Sequence, residues 1–302
     1  MLYNLPTDSS IWTFNKSGTT WQTWNKPSEF SNFMILAAAG GGGGGAGSYS
    51  GTNGGSTGGG GGGGGTFLQA SAPAYLFPDK LFLQIGLGGA GGIGGASGNT
   101  CGSNVAGGTG GSTYISYYPN TNAGNLIFNL GGGTGGGGTG YCTTFGGVGG
   151  QLAAVTQSIF QYTSSSCNGQ NGLTVPGDGV DYSNTNCPIL GGAAGGGRTN
   201  AISYSGSSYP ATFVNGKLSG GVWGVNSGKG NDGFILRKPF TVFGGTGGAG
   251  NPALAAVVGP IGGSGIWGSG GGAGGGVNDS YSFARGGNGG RGGDGFVIII
   301  GY

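Results

Sequence analysis

Histidine is absent from this chain of 302 residues, and charge is scarce: ten Lys or Arg and eight Asp or Glu, 6% of the residues. Without His, the residue most used for general acid–base work is missing, and no Ser-His-Asp or Cys-His constellation can be assembled. The Cys/His patterns of zinc sites are excluded as well. The few charges are scattered singly, apart from pairs such as Arg237-Lys238. No basic stripe exists, so the electrostatic footprint of a nucleic-acid binder is missing. A net charge of only +2 gives little repulsion between copies and favours fixation in an assembly. Long apolar runs are lacking too. The longest, Phe33–Ala39, falls far short of the roughly 20 residues a membrane span needs, so no membrane insertion is expected. The N-terminal residues carry neither a basic n-region nor an apolar h-region, so no cleavable signal is expected.

What the chain has is glycine, 86 residues of it. Glycine disfavours a helix interior by about 1 kcal/mol per residue, which excludes a helical bundle or an α/β enzyme. Eleven prolines without a strict G-X-Y period exclude collagen. Disorder is opposed by 5 Trp, 13 Tyr and 15 Phe and by a 35% hydrophobic content, which provide surface to bury. The four cysteines, Cys101, Cys142, Cys167 and Cys187, form no C-x-x-C pair. They allow two disulfides, with Cys167–Cys187 and Cys101–Cys142 preferred, or buried free thiols.

Strand signals cluster at the ends. Ile11–Phe14 and Thr20–Trp24 are short aromatic and β-branched runs with a Ser17-Gly18 turn signal between them. Phe33–Ala38 is a continuous apolar run, as expected for a strand buried on both faces. Leu81–Ile85 follows a Pro78-Asp79 turn, and Phe296–Ile300 is the cleanest β-branched segment of all. The simplest architecture pairs that last strand with Phe33–Ala38.

Between these strands the glycine is patterned. Gly-Gly-X triplets recur at residues 88–96, 107–112, 244–249 and 286–294. A period of three fits neither an α-helix nor a β-strand. It fits the extended left-handed helix with three residues per turn, which has no internal hydrogen bonds and points its N–H and C=O groups sideways. Two glycine columns then let neighbouring helices approach and pair, as in a polyglycine-II array. In the third column, Ala90, Ile93 and Ala96 are expected to face an apolar neighbour, and Asn288, Arg291 and Asp294 to face water.

The fold expected is therefore all-β or irregular with almost no α-helix. A small antiparallel sheet or sandwich comes from the two ends of the chain. Residues 1–39, with 66–87 and 294–302, complete it. Residues 40–293 form a packed array of polyglycine-II helices with long loops, and the whole is one compact unit. The loops mix tyrosine with Ser, Asn and Gly, the palette of paratopes. Tyr114, Tyr117, Tyr118, Tyr162, Tyr182, Tyr204, Tyr209 and Tyr281 are accordingly candidate receptor-binding residues. Alternatively they seal the rim of the array. Asp178 and Asp181 are the one close carboxylate pair, a weak calcium candidate that reads better as a solvated turn. No catalytic residue, metal or cofactor is expected. Gly-x-Gly-x-x-Gly matches are unavoidable at this glycine content, and the phosphate-loop pattern is absent.

Trp12-Thr13-Phe14, the run Phe33–Ala39 into Gly40–Gly45, residues 81–92 and the closing 286–302 together resemble the glycine-rich domain of phage tail and other virion proteins. That resemblance implies an aromatic hairpin ahead of the apolar strand. The middle is similar to the polyglycine-II adhesins at the long-tail-fibre tips of T-even phages, although no fibre-attachment module like theirs stands at the N-terminus. The resemblance implies a virion surface protein that binds a host glycan or outer-membrane protein. Other virion proteins and further copies of the chain would be its partners. A purely structural capsid, tail or filament component is the alternative.

Overall fold

The computed structural model describes residues 8–15, 18–50, 56–94, 106–138, 149–155, 160–172, 178–179, 187–196, 202–209, 219–222, 228–237, 240–252, 258–278 and 285–302. Its strands are β1 (Ser10–Asn15), β2 (Gln22–Asn25), β3 (Asn32–Ala38), β4 (Tyr49–Ser50), β5 (Phe67–Pro73), β6 (Lys80–Gln84), β7 (Thr113–Ser116), β8 (Leu126–Leu130), β9 (Leu152–Val155), β10 (Gln161–Ser165), β11 (Ile235–Arg237), β12 (Phe240–Val242), β13 (Asn251–Pro252), β14 (Val277–Asn278) and β15 (Phe296–Gly301). The described residues include two single 3-10 turns, at Ala74–Leu76 and Ala123–Asn125, and a 3-10 residue at Gly228. The fold is all-β and irregular.

Two five-stranded antiparallel sheets form a sandwich. Their orders are β1-β15-β3-β5-β10 and β2-β6-β7-β8-β9. The terminal strand β15 pairs antiparallel with β3, from Phe296 opposite Ala38 to Gly301 opposite Phe33. Neither run carries a charge, so both tolerate the sheet's central positions, buried on both faces. Along β3 and β15, Phe33, Ile35, Ala37, Val297 and Ile299 face the second sheet, meeting Trp24, Leu81, Leu83, Ile115 and Phe128. Met34, Leu36, Phe296, Ile298 and Ile300 face the other way, against Ile189 and Val242.

The aromatic hairpin implied at the N-terminus is not formed. Gly18 does lie in a turn, with φ +57°, but β1 joins β15 in one sheet and β2 joins β6 in the other. Splitting the two strands brings Trp12 and Trp24 together from opposite sides of the core, edge to face at 5.9 Å. Edge-to-face contacts continue from Trp24 to Phe33 (5.1 Å), Phe77 (5.3 Å), Phe160 (5.2 Å) and Phe128 (5.3 Å). The sandwich also draws β7, β8, β9 and β10 from inside residues 40–293.

The glycine segments form the array. Segment 40–47 makes its bonds in three phases. Gly40 and Gly43 donate to Gly111 and Gly108, Gly41, Gly44 and Gly47 to Gly293, Gly290 and Gly287, and Gly42 and Gly45 to Gly63 and Gly60. These three acceptor segments run antiparallel to it. Its carbonyls in turn accept from Gly89 and Gly92, from Gly133 and Gly136, and from Gly271 and Gly274, all on segments that run parallel to it. Six neighbours thus surround one helix, each meeting it once per three-residue turn. Segments 58–65 and 269–276 are centred in the same way. The approach is close enough that a Cβ at Gly41, Gly43 or Gly44 would lie 2.0, 1.9 or 2.1 Å from a neighbouring carbonyl oxygen. Only glycine fits these columns.

The expected facing of two side-chain columns is corrected. Ala90 and Ile93 do not meet an apolar neighbour. Segment 86–94 lies at the rim, and Leu87, Ala90 and Ile93 are all exposed, Ile93 by 58%. Ala96 is outside the described residues. In the other column Arg291 is exposed, but Asn288 and Asp294 turn inward along the rim. The Asn288 and Asp294 Oδ1 atoms accept from the Gly94 and Gly88 N–H groups, each at 2.8 Å. At the rim a carbonyl neighbour is missing, and a side-chain oxygen replaces it.

Every described connection between sandwich and array follows one rule. Segments 40–47, 86–94 and 131–137 leave the strands β3, β6 and β8, while 58–65, 107–111 and 286–295 return into β5, β7 and β15. At the far end, outgoing segments continue into β4, β13 and β14, which pair parallel for that reason. The Cys167–Cys187 disulfide is formed, with 6.0 Å between Cα atoms. It sits beside a small core of Leu190, Ala193, Tyr209 and Phe243. Cys101 and Cys142 lie outside the described residues.

Candidate functional site

The candidate tyrosines separate by position. Tyr118 is 60% exposed in the β7–β8 turn, at the end of the sandwich remote from the array. Tyr117 beside it packs against the aromatic core, and burial pushes its phenol pKa up from 10.0. Tyr75, 82% exposed in the 3-10 turn after β5, belongs to the same end. It was not anticipated from sequence. Lys26 steadies that end by donating from Nζ to the carbonyls of Ala74 (3.3 Å) and Phe77 (2.8 Å) and pairing with Asp79 at 3.1 Å. Tyr162 is exposed on edge strand β10, its ring 6.3 Å from Phe128. Tyr114 lies half-buried on the second sheet, 6.5 Å from Trp21. Tyr204 is half-buried beside the array, where its carbonyl accepts from Gly250.

Tyr209 is corrected: it is a core residue. Its ring is fully buried, edge-on to Phe243 at 5.4 Å, and its hydroxyl donates to the carbonyl of Gly191. A buried phenol needs such a partner, and a polyglycine-II segment offers carbonyls on all sides. Tyr182 and Tyr281 lie outside the described residues, as does Asp181. Asp178 is occupied, its Oδ1 accepting from the Ser205 N–H at 2.7 Å. Among the described residues no group of three or more His, Cys, Asp or Glu gathers, and no helix is long and apolar enough to cross a membrane.

The rim shows where scarce polar side chains go. Besides Asn288 and Asp294, Asp232 accepts from the Ser264 N–H (2.7 Å), Asn168 from Gly149 (2.8 Å) and Gln170 from Ala194 (3.2 Å). A charge-assisted bond from a carboxylate is the strongest of these. Asp178, Asp232 and Asp294 all supply one.

A concave site lies where the array meets β1. The cleft, about 320 Å³, is lined by Thr13, Asn15, Ile266, Trp267, Arg291 and Asp294, among others. The chain must reverse there between the incoming segment 259–265 and the outgoing 268–276. It does so through Trp267 at φ +45° and Gly268 at φ +80°. A tryptophan in the left-handed region costs on the order of 1–3 kcal/mol and persists only where its surroundings over-determine it. Here they do. Ser269 Oγ accepts from the Ile266 N–H at 2.8 Å and lies 2.6 and 3.1 Å from the carbonyls of Ile266 and Phe243. A side chain at Gly268 would meet the Ala39 carbonyl oxygen at 2.6 Å. The Trp267 ring leans on Phe296 at 5.0 Å yet remains 36% exposed. Across the cleft Arg291 pairs with Asp294 through Nη2, with half of the arginine side chain open to solvent. Gln22 Nε2 donates to the Asn15 carbonyl at 3.3 Å, and the Thr13 and Asn15 side chains line the cleft. Sequence reasoning missed this site. The available signal was a lone Ile266-Trp267-Gly268 between two glycine runs.

No protein-family model matches the chain, and no curated protein matches it.

Proposed function

We propose that this chain is a non-enzymatic protein of the virion surface, a receptor-binding adhesin of a phage tail or tail fibre. The reading rests on the resemblance of residues 12–14, 33–45, 81–92 and 286–302 to virion glycine-rich domains. One structural observation carries it furthest. The array holds each central helix by hydrogen bonds to six neighbours, so it is a rigid support for the sandwich that exposes Tyr75, Tyr118 and Tyr162. A host surface glycan or outer-membrane protein is the partner on the receptor side. The purified full-length chain, added to host cells before the phage, is expected to block adsorption. Undiminished adsorption at saturating protein overturns the reading.

A purely structural virion role is the second reading, and the exposed Leu87, Ala90 and Ile93 column favours it. Such a stripe suits contact with another virion protein or another copy. Copy number and position in the particle separate the two. Few copies at a tip belong to an adhesin, and a lattice of many copies to a structural component.

A further inference from the structure

We infer that the Trp267 cleft binds a saccharide, one or two sugar rings of a host-surface glycan. The inference rests on the adhesin reading and names both the ligand class and its site. Three features converge. First, the indole is presented, not buried. It is held at φ +45° in a turn fixed by the Ser269 hydrogen bonds and the close-packed Gly268, and its ring rests on Phe296, so its exposure is preorganised. A tryptophan face is an apolar plate that fits the C–H face of a pyranose, and its N–H is a donor at the edge.

Second, the polar groups around the plate are of mixed kind. Arg291 has five N–H donors and spends Nη2 on Asp294. The Thr13 hydroxyl and Asn15 carboxamide add donors and acceptors on the outward face of edge strand β1. Vicinal sugar hydroxyls both donate and accept, and a neutral Arg–Asp pair beside amide and hydroxyl groups matches them. It does not select for an anion or a cation.

Third, the size is right. A cleft of about 320 Å³ lies at the lower end of ligand sites, which run from about 300 to 1,000 Å³. That admits a short sugar segment. The walls are also fixed. The Arg291 carbonyl accepts from the Gly265 N–H at 2.7 Å, and Gly293 donates to the Ser269 carbonyl at 2.8 Å. The cleft therefore does not need to assemble on binding.

The test uses the full chain on an array of defined oligosaccharides from bacterial lipopolysaccharides and capsules, followed by calorimetric titration of the one retained. Trp267→Gly removes the plate while suiting the positive φ, and Arg291→Gln removes the charged fork. Each is expected to weaken binding by about tenfold or more, as loss of an anchoring Trp or Arg does elsewhere. Lys80→Ala, an exposed side chain at the far end of the sandwich, is expected to leave it unchanged. Retention of no oligosaccharide by the parent chain overturns the inference, and so does binding by both cleft variants within about twofold of parent. The adsorption-blocking assay separates the two readings. Blocking that survives Trp267→Gly leaves the adhesin standing without this cleft. Sugar binding at the cleft without blocking leaves the cleft standing without the adhesin.

Discussion

Replacing Gly43 with alanine is the sharpest test of the array. Gly43 sits in the central helix, its N–H donating to Gly108 and its carbonyl accepting from Gly136. An added Cβ would stand 1.9 Å from the Ala90 carbonyl oxygen, whereas ordinary contact begins near 3.4 Å. Segment 86–94 must then retreat by about 1.5 Å. That displacement breaks the bonds from Gly89 to Gly41, Gly92 to Gly44 and Gly108 to Ala90, now 2.7–2.8 Å long. With each broken bond costing about 1–3 kcal/mol, the substitution should cost about 3–9 kcal/mol. That is a large part of the 5–15 kcal/mol typical of a whole domain, and it corresponds to a fall in melting temperature of roughly 5–15 °C. Gly124→Ala is the matched control. Its Cβ would meet nothing within 4 Å and its φ is not positive, so it should be neutral or stabilise by up to about 1 kcal/mol. Scanning calorimetry on both variants is the assay. If Gly43→Ala melts with the parent, the close-packed hexagonal arrangement is wrong.

Three further outcomes follow from the same contacts. Asp294→Ala removes the Gly88 acceptor and should lower stability by about 1–2 kcal/mol, whereas Asp294→Asn, which keeps an acceptor oxygen, should recover most of it in thermal melts. Replacing Cys167 and Cys187 together with alanine opens a loop of sequence separation 20 and should cost about 3 kcal/mol in denaturant titration. Burial raises the Tyr117 pKa in the folded state, so the phenol binds its proton more tightly folded than unfolded. Its contribution is complete below the unfolded value of 10.0 and is lost as pH rises from there through the raised folded value. Tyr117→Phe should flatten that part of the stability–pH curve, followed by circular dichroism melts across the alkaline range.

Much of the fold was legible because it depends on extremes. Two uncharged runs, Phe33–Ala39 and Phe296–Ile300, had few places to go except the middle of a sheet, and Gly-Gly-X spacing selects one backbone period. Less legible was anything decided by location within the lattice. Ala90, Ile93 and Ala249 occupy the same third column of a triplet, yet the first two are exposed and Ala249 is fully buried. The difference is how many neighbours the segment has, which its own residues do not encode. Asn288 and Asp294 looked like solvated polar groups because sequence does not show that Gly94 and Gly88 lack a carbonyl partner. Among tyrosines in similar Ser/Asn/Gly surroundings, Tyr209 is core and Tyr118 is surface. A phenol suits either, since glycine segments provide carbonyls for its hydroxyl. Trp267 was overlooked because an aromatic residue in a glycine run reads as a rim seal until its φ is known.

Joining strands to glycine helices at one end has a consequence for how such a chain tolerates insertions and deletions. A helix that leaves or enters a strand inherits its rotational phase from that strand. One residue inserted between Ala39 and Gly40 would turn the following segment by about 120°. Every amide would then address a different neighbour, and any side-chain column would swing into backbone. Three inserted residues would restore the phase and only slide the helix by one turn. At the far end the parallel pairing of β14 with β4 and β13 depends on the same phase. The same molecule thus carries a frame-like rule of threes wherever a strand meets a glycine helix.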